Sequence, residues 1–590
     1  AHPNQAGALG VQAFLKKAGI NTPVVNVPGC PANPEWLVAV LADVIFLEKL
    51  PALNSEDKPA GIFDQTIHDN CERRGHFENG EFVYKFGSEE EAKGYCLYPL
   101  GCRGPQTKAN CGVTMWNNRR SWCVQSGAPC IGCCEANPND PGHNWVEVNT
   151  PFYKRHRDLR IGDWMVQPGT IALGITGILA AALVVHGFGM KITGRMDGGA
   201  DFEKVRGWDA KHPDKSIGKY DEADLNNDDK KRREGKPLMT RSVIDPITRI
   251  EGHLRVEMEV TNGKVSDAWV SGGCFRGMEM VVENRTPEDA AQIVQRICGV
   301  CPVSHAHSSA IAAEKAYGIK ISNNARIIRN LLEGAQFLHS HILWFYNLAA
   351  LDYVNPLNAL KADPADAYDL AQAAGTSMNS DFVALKERLA NFADNGQLSI
   401  FSGNWFDAED GTAYQLPPEL DLICTAHYLE ALTMQAKASQ ISAIIGGKMP
   451  HVMTLVPGGT AFVPTDQKLD ELKALADEIY DWVESTMIPD TLAIAPYYID
   501  ALNWGKGCGR YVAWGVFEGP GDYASYTEQM ANRYLPMGVI DDKLNLSDVQ
   551  ENLITEYMGR SWYKGDATYT SPYFVTEPEY TEYNVEDRYT

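Results

Sequence analysis

Two cysteines enclose a two-residue turn, and a histidine follows four residues later, in Arg296-Ile297-Cys298-Gly299-Val300-Cys301-Pro302-Val303-Ser304-His305. A Cys-x-x-Cys turn presents two thiolates on one side of the backbone, and soft thiolates select nickel, zinc, copper or iron over hard cations. A denser set lies upstream. His68-x-x-Cys71 is followed by Cys96, by Cys102 within Gly101-Cys102-Arg103-Gly104-Pro105, by Cys111 and Cys123, and by Cys130-Ile131-Gly132-Cys133-Cys134. Iron-sulfur cubanes take four ligands from turns in which glycines let backbone N–H groups approach the sulfurs. Zinc accepts one histidine with three cysteines equally well, so spacing alone leaves both metals open.

The elements that must hold these residues follow from composition and pattern. A chain of 590 residues, 44% hydrophobic and 22% charged, has ordinary globular composition and length for at least two cores. The formal net charge of -23 excludes a nucleic-acid binder, because phosphate contacts need a basic surface. A redox-protein partner or a gas-sized substrate suits it better. Nine of the 14 cysteines fall between Cys30 and Cys134; the others are Cys274, Cys298, Cys301, Cys424 and Cys508. Disulfide frameworks belong to short secreted chains, so clustering in a large protein favours metal ligation. The start at Ala1 is polar and shows no signal peptide.

Trp164 to Met190 contains no Asp, Glu, Lys or Arg, with Arg155, Arg157, Arg160, Lys191 and Arg195 at its flanks. Roughly 20 such residues cross a bilayer, so residues 164–190 are expected to form a transmembrane anchor; a buried Gly- and Ala-rich core helix is the alternative. Residues 191–238 are strongly charged and predict a linker. Beyond Met239, alternating Leu254, Val256, Met258 and Val260, the pair Asn262-Gly263 and Val265 to Val270 predict a β-hairpin. Thr286-Pro287-Glu288-Asp289 predicts a helix start that runs to the Cys-x-x-Cys turn, with another helix from about Ser304. Ile327, Leu331, Ala335, Leu338, Ile342 and Phe345 predict the buried stripe of a long helix.

Gly29-Cys30-Pro31-Ala32-Asn33-Pro34-Glu35-Trp36, the His68 to Cys102 set with Cys96-Leu97-Tyr98, and Ser121-Trp122-Cys123 leading to Pro129-Cys130-Ile131-Gly132-Cys133 resemble the small, iron-sulfur subunit of nickel-iron hydrogenases over residues 1–163. The resemblance implies that His68, Cys71, Cys96 and Cys102 hold a distal four-iron cluster. It implies that Cys111, Cys130 and Cys133 hold the medial cluster, and that Cys30 is one ligand of the proximal cluster, whose other three ligands have no counterpart here. Cys123 stands where many relatives carry a proline and a three-iron cluster. A fourth thiolate there would complete a medial 4Fe-4S in place of a 3Fe-4S cluster; a free buried thiol is the alternative.

Asp245-Pro246-Ile247-Thr248-Arg249-Ile250-Glu251-Gly252-His253, Arg276-Gly277-Met278-Glu279, the Arg296 to His305 motif, His339 to Asp352 and Gly446-Gly447-Lys448-Met449-Pro450-His451 resemble the large subunit of the same family, from about 239 to 590. By resemblance Cys298 is a terminal nickel thiolate, and Cys301 bridges nickel to an iron that carries diatomic ligands. His305 hydrogen-bonds the bridging sulfur, Glu279 binds magnesium, and Glu251 relays protons as a buried carboxyl with a raised pKa. An ordinary packed helix histidine, an exposed acid, and a carboxylate paired with Arg249 are the alternatives for His305, Glu279 and Glu251. His339, His341 and His451 take no role. The family closes its nickel site with a second Cys-x-x-Cys and a histidine near the carboxyl end, and nothing after Cys508 supplies a cysteine, so this chain offers two of four thiolates and is expected to be inactive on its own.

The expected fold is α+β and multidomain: a loop-rich cluster domain, an anchor, a linker and a mainly helical catalytic domain opening with the hairpin. The expected activity is reversible cleavage of dihydrogen, with electrons passing through the clusters to a cytochrome b or quinone-linked acceptor. The site would be membrane-associated on the periplasmic side of a bacterial inner membrane. Small and large subunit parts would pair, with maturation proteins loading the metals; His186 would ligate haem of the cytochrome or be an interfacial histidine. A single crossing by a continuous chain would put the two parts on opposite faces, which conflicts with that pairing and favours two joined reading frames. An inactive electron-transfer or assembly module and a zinc-stapled structural protein are the other readings.

Overall fold

A computed structural model describes residues 11–135, 160–161, 164–165, 239–272, 278, 282, 285–401, 414–503, 507, 509–521, 528 and 532–550. The cluster part, residues 11–135, is built of short helices and turns around one core. Trp36, Phe63, Ile67, Leu97, Leu100, Trp116 and Trp122 pack there against Cys102, Cys111, Cys130 and Cys134. Helix α1 (Pro34–Phe46) starts on Asn33, whose side chain accepts from Glu35 N–H and donates to Met115 O at 2.7 Å. Trp36 Nε1 donates to Asn110 Oδ1 at 2.7 Å, so one end of α1 is pinned to the turn that carries Cys111.

The catalytic part opens with three antiparallel strands, β1 (Met239–Ile247), β2 (Leu254–Thr261) and β3 (Lys264–Gly272), in the order β1-β2-β3. The β2–β3 hairpin turns at Asn262 and Gly263, both with positive φ as the Asn-Gly pair predicts. β1 is the unpredicted member. It carries Pro246 at a register shift between Ile244 and Ile247, where a missing N–H is tolerated.

Helix α2 (Pro287–Val294) continues as a 3-10 turn over Gln295–Ile297 and delivers Cys298; α3 (Pro302–Tyr317) starts directly after Cys301. α4 (Asn323–Ile342) follows, capped by Ser322, which accepts from Ala325 N–H. Its buried face keeps Ala335, Leu338 and Ile342 of the predicted stripe on the core, joined by Phe345 just beyond the helix, and departs from it in the first half. Ile327 and Leu331 are exposed, while Arg329, Leu332, Glu333, Ala335 and Gln336 are buried. The face is polar because α4 holds neighbouring elements by hydrogen bonds: Arg329 pairs with Glu314 of α3, and Gln336 Nε2 donates to Val300 O at 2.7 Å. α5 (Pro364–Ala374), α6 (Phe382–Asp394), the long α7 (Pro418–Gly446) and α8 (Asp466–Trp482) complete a helical body.

The two parts touch. Asn117 Nδ2 donates to Met449 O at 2.8 Å and its Oδ1 accepts from Met449 N–H at 3.0 Å. Arg120 Nε reaches Gln440 Oε1 at 2.8 Å, and Ser126 Oγ reaches Ile444 O at 3.3 Å. Ala128 and Ile131 share a small core with Ile293 and Met453. A Cβ on Gly447, at φ 88°, would stand 2.8 Å from Cys123 Cα, so this approach requires glycine. These contacts put residues 11–135 and the catalytic part on one side of any membrane.

Trp164–Met165, the start of the expected anchor, form a short antiparallel pairing with Arg160–Ile161 rather than helix. Residues 166–190 with His186, and the linker 191–238, lie outside the described residues. Among the described residues no helix is long and apolar enough to cross a membrane.

Candidate metal centres

The first cysteine set converges on one enclosed space. His68 lies in a 3-10 turn, Ile67–Asn70, fixed by a capping box between Thr66 and Asp69, and Cys71 ends that turn. Cys96 is held beside Phe82 by an isolated bridge, with its carbonyl accepting from Val83 N–H at 2.9 Å. Cys102 follows Gly101, whose left-handed φ of 99° turns the chain inward. All four side chains, with Arg73, Tyr98 and Gly104, line one pocket. Backbone N–H groups point at the sulfurs: Arg73 N to Cys71 Sγ and Cys130 N to Cys102 Sγ, both at 3.4 Å. Burial pushes the Cys71 thiol up to about 11 and Cys96 up to about 12, with the neighbouring Cys102 adding to both. Burial and the nearby Arg74 keep the His68 imidazole neutral more readily than in water. Four soft donors around a space, with N–H groups on their sulfurs, fit an iron-sulfur cluster, whose cationic iron supplies the charge that these buried thiols need to ionise.

The second set forms around Cys130, 7% exposed, whose Sγ accepts from Gly132 N–H at 3.4 Å. Cys123 is pushed up to about 12 by burial; Cys133 and Cys111 add to this and Lys448 opposes it, so these thiols share one neighbourhood. Cys134 has the same surroundings. Its Sγ lies 4.0 Å from that of Cys133, it is 1% exposed, and it also contacts the Cys111 thiol. Pattern reasoning left Cys134 without a role, although the doubled Cys133-Cys134 was the available signal.

Cys30 stands at the junction. Its carbonyl accepts from Lys448 Nζ at 3.0 Å and faces His451 Nδ1 at 3.2 Å. His451, 6% exposed, reaches the main chains of both Cys30 and Cys298, and burial aided by Arg296 and Lys448 lowers its pKa to about 2. This neutral imidazole links the two thiol sites and is the second residue that pattern reasoning passed over. His341, by contrast, is satisfied within its helix by Phe337 O at 2.8 Å, and burial lowers His339 to about 4.

The Cys-x-x-Cys turn is half-buried at both thiols. Val300 N and Cys301 N both donate to Cys298 Sγ at 3.3 Å. With the Cys301 thiol as the strongest donor and His305 adding positive charge, Cys298 is pulled down to about 5, while Cys301 is pushed up. The pair is one thiolate and one thiol that share a proton, and a half-exposed thiolate suits a soft metal. His305 is half-buried on α3 and acts on Cys298. Glu251 is near both sulfurs: desolvation and then Cys298 raise its pKa, and it in turn raises Cys301. Its side chain is exposed rather than buried as expected, because it leaves the sheet on the turn after β1. Arg249, the partner considered for it, reaches Asp352 Oδ1 at 3.2 Å. Glu279, Cys274 and Cys508 lie outside the described residues.

The sequence profile of nickel-dependent hydrogenases matches residues 276–590, more than half of the chain. The chain belongs to the nickel-dependent hydrogenase family. The C-terminal profile of the small subunit of NiFe and NiFeSe hydrogenases matches residues 63–145, and a HoxL-like profile matches 241–271. Both subunit types are therefore represented in one chain. The Hydrogenase-2 large chain of Escherichia coli K12 is 38% identical over 373 residues, 60% of this chain and 64% of that protein. The uptake hydrogenase large subunit of Rhodobacter capsulatus is 36% identical over 346 residues, 55% of this chain and 56% of its own length. This chain thus spans under two thirds of the length of these relatives. The Ni-Fe-Se hydrogenase of D. vulgaris Hildenborough in its as-isolated oxidised state is a 35% identical solved structure, with a TM-score of 0.43 over 55% of this chain and 57% of that one.

Proposed function

We propose that this chain carries the cluster relay and part of the dihydrogen-cleaving site of a nickel-iron hydrogenase. The observation behind this is the setting of Cys298 and Cys301: Glu251 approaches the pair from solvent, and His451 and Cys30 stand behind it at the junction with the cluster part. When bound, a nickel-iron centre would supply the soft Lewis-acid pair that polarises dihydrogen. Cys298 would hold nickel, and Cys301 both nickel and iron.

The chain's own residues manage protons and order. The Cys298–Cys301 pair, one thiolate and one thiol, accepts a proton, and its raised neighbour Glu251 passes that proton to solvent. His305, whose charge acts on Cys298, would help to orient the paired sulfurs, and Gln336 fixes the turn through Val300 O. Cys30 would ligate the proximal cluster, Cys111, Cys123, Cys130 and Cys133 a medial 4Fe-4S cluster, and His68, Cys71, Cys96 and Cys102 the distal one. Glu279 would bind magnesium. Electrons would leave to a cytochrome b or quinone-linked acceptor at a bacterial inner membrane, on its periplasmic side, a placement supported by the apolar composition of 164–190.

Hydrogen–deuterium exchange with solvent, measured by mass spectrometry beside nickel and iron analysis of the holoprotein, tests this. In the enzyme completed by the two remaining nickel thiolates, exchange should be present and fall by ~10²–10⁴-fold in Glu251→Gln with unchanged metal content. Full exchange in the variant would remove Glu251 from the relay, and absence of nickel and iron from the completed enzyme would remove the function.

A further inference from the structure

Lys448 is 1% exposed and lies on the turn after α7. Its Nζ donates to Cys30 O at 3.0 Å and stands 4.9 Å from the centre of the Trp116 ring. A carbonyl and a ring face solvate an ammonium group without neutralising it. No carboxylate among the described residues pairs with Lys448, whereas other wholly buried cations have one: Lys58 has Glu56 at 2.7 Å, and Arg329 has Glu314 at 2.5 Å. A buried charge without a counter-charge is strongly unfavourable, so a fold that keeps one has an anion nearby.

Lys448 follows Gly447, whose backbone lies so close to the cluster part that a Cβ there would stand 2.8 Å from Cys123 Cα, and its charge acts on Cys123 and Cys133 together with His451. Arg296, buried at the end of α2, acts on the same two cysteines. Two cations of the catalytic part therefore converge, across the junction, on two thiols of the other part.

We infer that Lys448 is the counter-cation of the iron-sulfur cluster held by Cys123 and Cys133, lent across the junction, and that it raises the reduction potential of that cluster. The inference rests on the proposed cluster at those cysteines. Its physical basis is general: the potential of an iron-sulfur cluster follows the net charge around it, and a fixed positive charge in a low-dielectric site favours the more negative, reduced form. The distal pocket has its own cation, since Arg73 acts on Cys71, Cys96 and Cys102. Lys448 is thus a tuning residue of the junction cluster held by Cys123 and Cys133, and not of the distal one.

The test is a redox titration of the anaerobically purified holoprotein, followed by electron paramagnetic resonance, with iron and acid-labile sulfide counted in each variant. Lys448→Gln should shift the junction cluster to lower potential and leave the distal cluster where it was. Lys448→Arg should restore the wild-type value, and Arg296→Gln should shift the same cluster in the same direction. Loss of cluster iron in Lys448→Gln that Lys448→Arg repairs also supports the role, because charge is then needed for loading. An unchanged potential in Lys448→Gln with full iron, or iron loss in Lys448→Arg as well, overturns it. A wild-type protein without iron would instead sink the cluster assignment itself.

Discussion

The pocket around His68, Cys71, Cys96 and Cys102 and the turn at Cys298 and Cys301 use the same atom type in opposite ways. The pocket is self-contained: all its donors come from one stretch of 35 residues, 68–102, they surround an enclosed space, and burial keeps its thiols protonated until a cation arrives. The turn is half-open, already holds one thiolate, and takes its neighbours from four separate segments: Glu251, Gln336, His451 and, across the junction, Cys30. Storage of an electron needs a dry cage, whereas proton and gas chemistry needs a reactive sulfur that solvent-linked groups can reach. The donors that surround Cys298, first the Cys301 thiol and then the Val300 and Cys301 N–H groups, produce the difference in thiol ionisation, and through it the division of labour.

That contrast can be broken in several ways. The largest effect is expected from Cys298→Ala, which should abolish dihydrogen-dependent exchange and nickel binding while cluster iron stays; Cys102→Ala should do the reverse to distal iron, and metal analysis of both decides. Next is Arg329→Met. It leaves Glu314 buried without its cation and should cost ~3–5 kcal/mol of stability in denaturant unfolding, because α4 no longer holds α3 through that pair.

Thiol labelling of metal-free protein sharpens the contrast directly. An acid with a lowered pKa is ionised above it, so Cys298, pulled to about 5, should react with iodoacetamide at pH 7 and slow only as pH falls through about 5. Cys71 and Cys96, raised to about 11 and about 12, should stay unlabelled until strongly alkaline pH. Peptide mapping reads both. The smallest effect is expected at the junction: Asn117→Ala removes two hydrogen bonds to Met449, should cost ~1–2 kcal/mol, and should leave distal iron intact.

Local features were legible in the sequence where short-range rules apply. The Asn262-Gly263 hairpin, the Thr286-Pro287 helix start and the delivery of Cys298 by that helix all follow from turn chemistry and capping. Strand β1 was hidden because Pro246 argues against a strand unless a bulge accommodates it. The second half of the predicted stripe, Ala335, Leu338, Ile342 and Phe345, was legible, whereas Ile327 and Leu331 were misread because periodicity counts apolar residues and the buried side of α4 there carries Arg329 and Glu333 instead. Glu251 was expected to be buried by analogy with its role, yet it lies on an exposed turn, where partial desolvation and then the neighbouring sulfur raise its pKa. His451 and Lys448 owe their meaning to the junction, where Asn117 meets Met449 over a sequence separation of 332 residues, and no local pattern encodes such a meeting.

The central claim is that cysteines of this single chain grip redox-active iron on both sides of one internal junction. Quantification of iron, nickel, zinc and acid-labile sulfide in the anaerobically purified protein, with electron paramagnetic resonance of its reduced form, tests it most directly. Brown protein with iron matched by labile sulfide, and resonances from reduced clusters that interact with one another, is the predicted result. A colourless protein that binds zinc alone would contradict it.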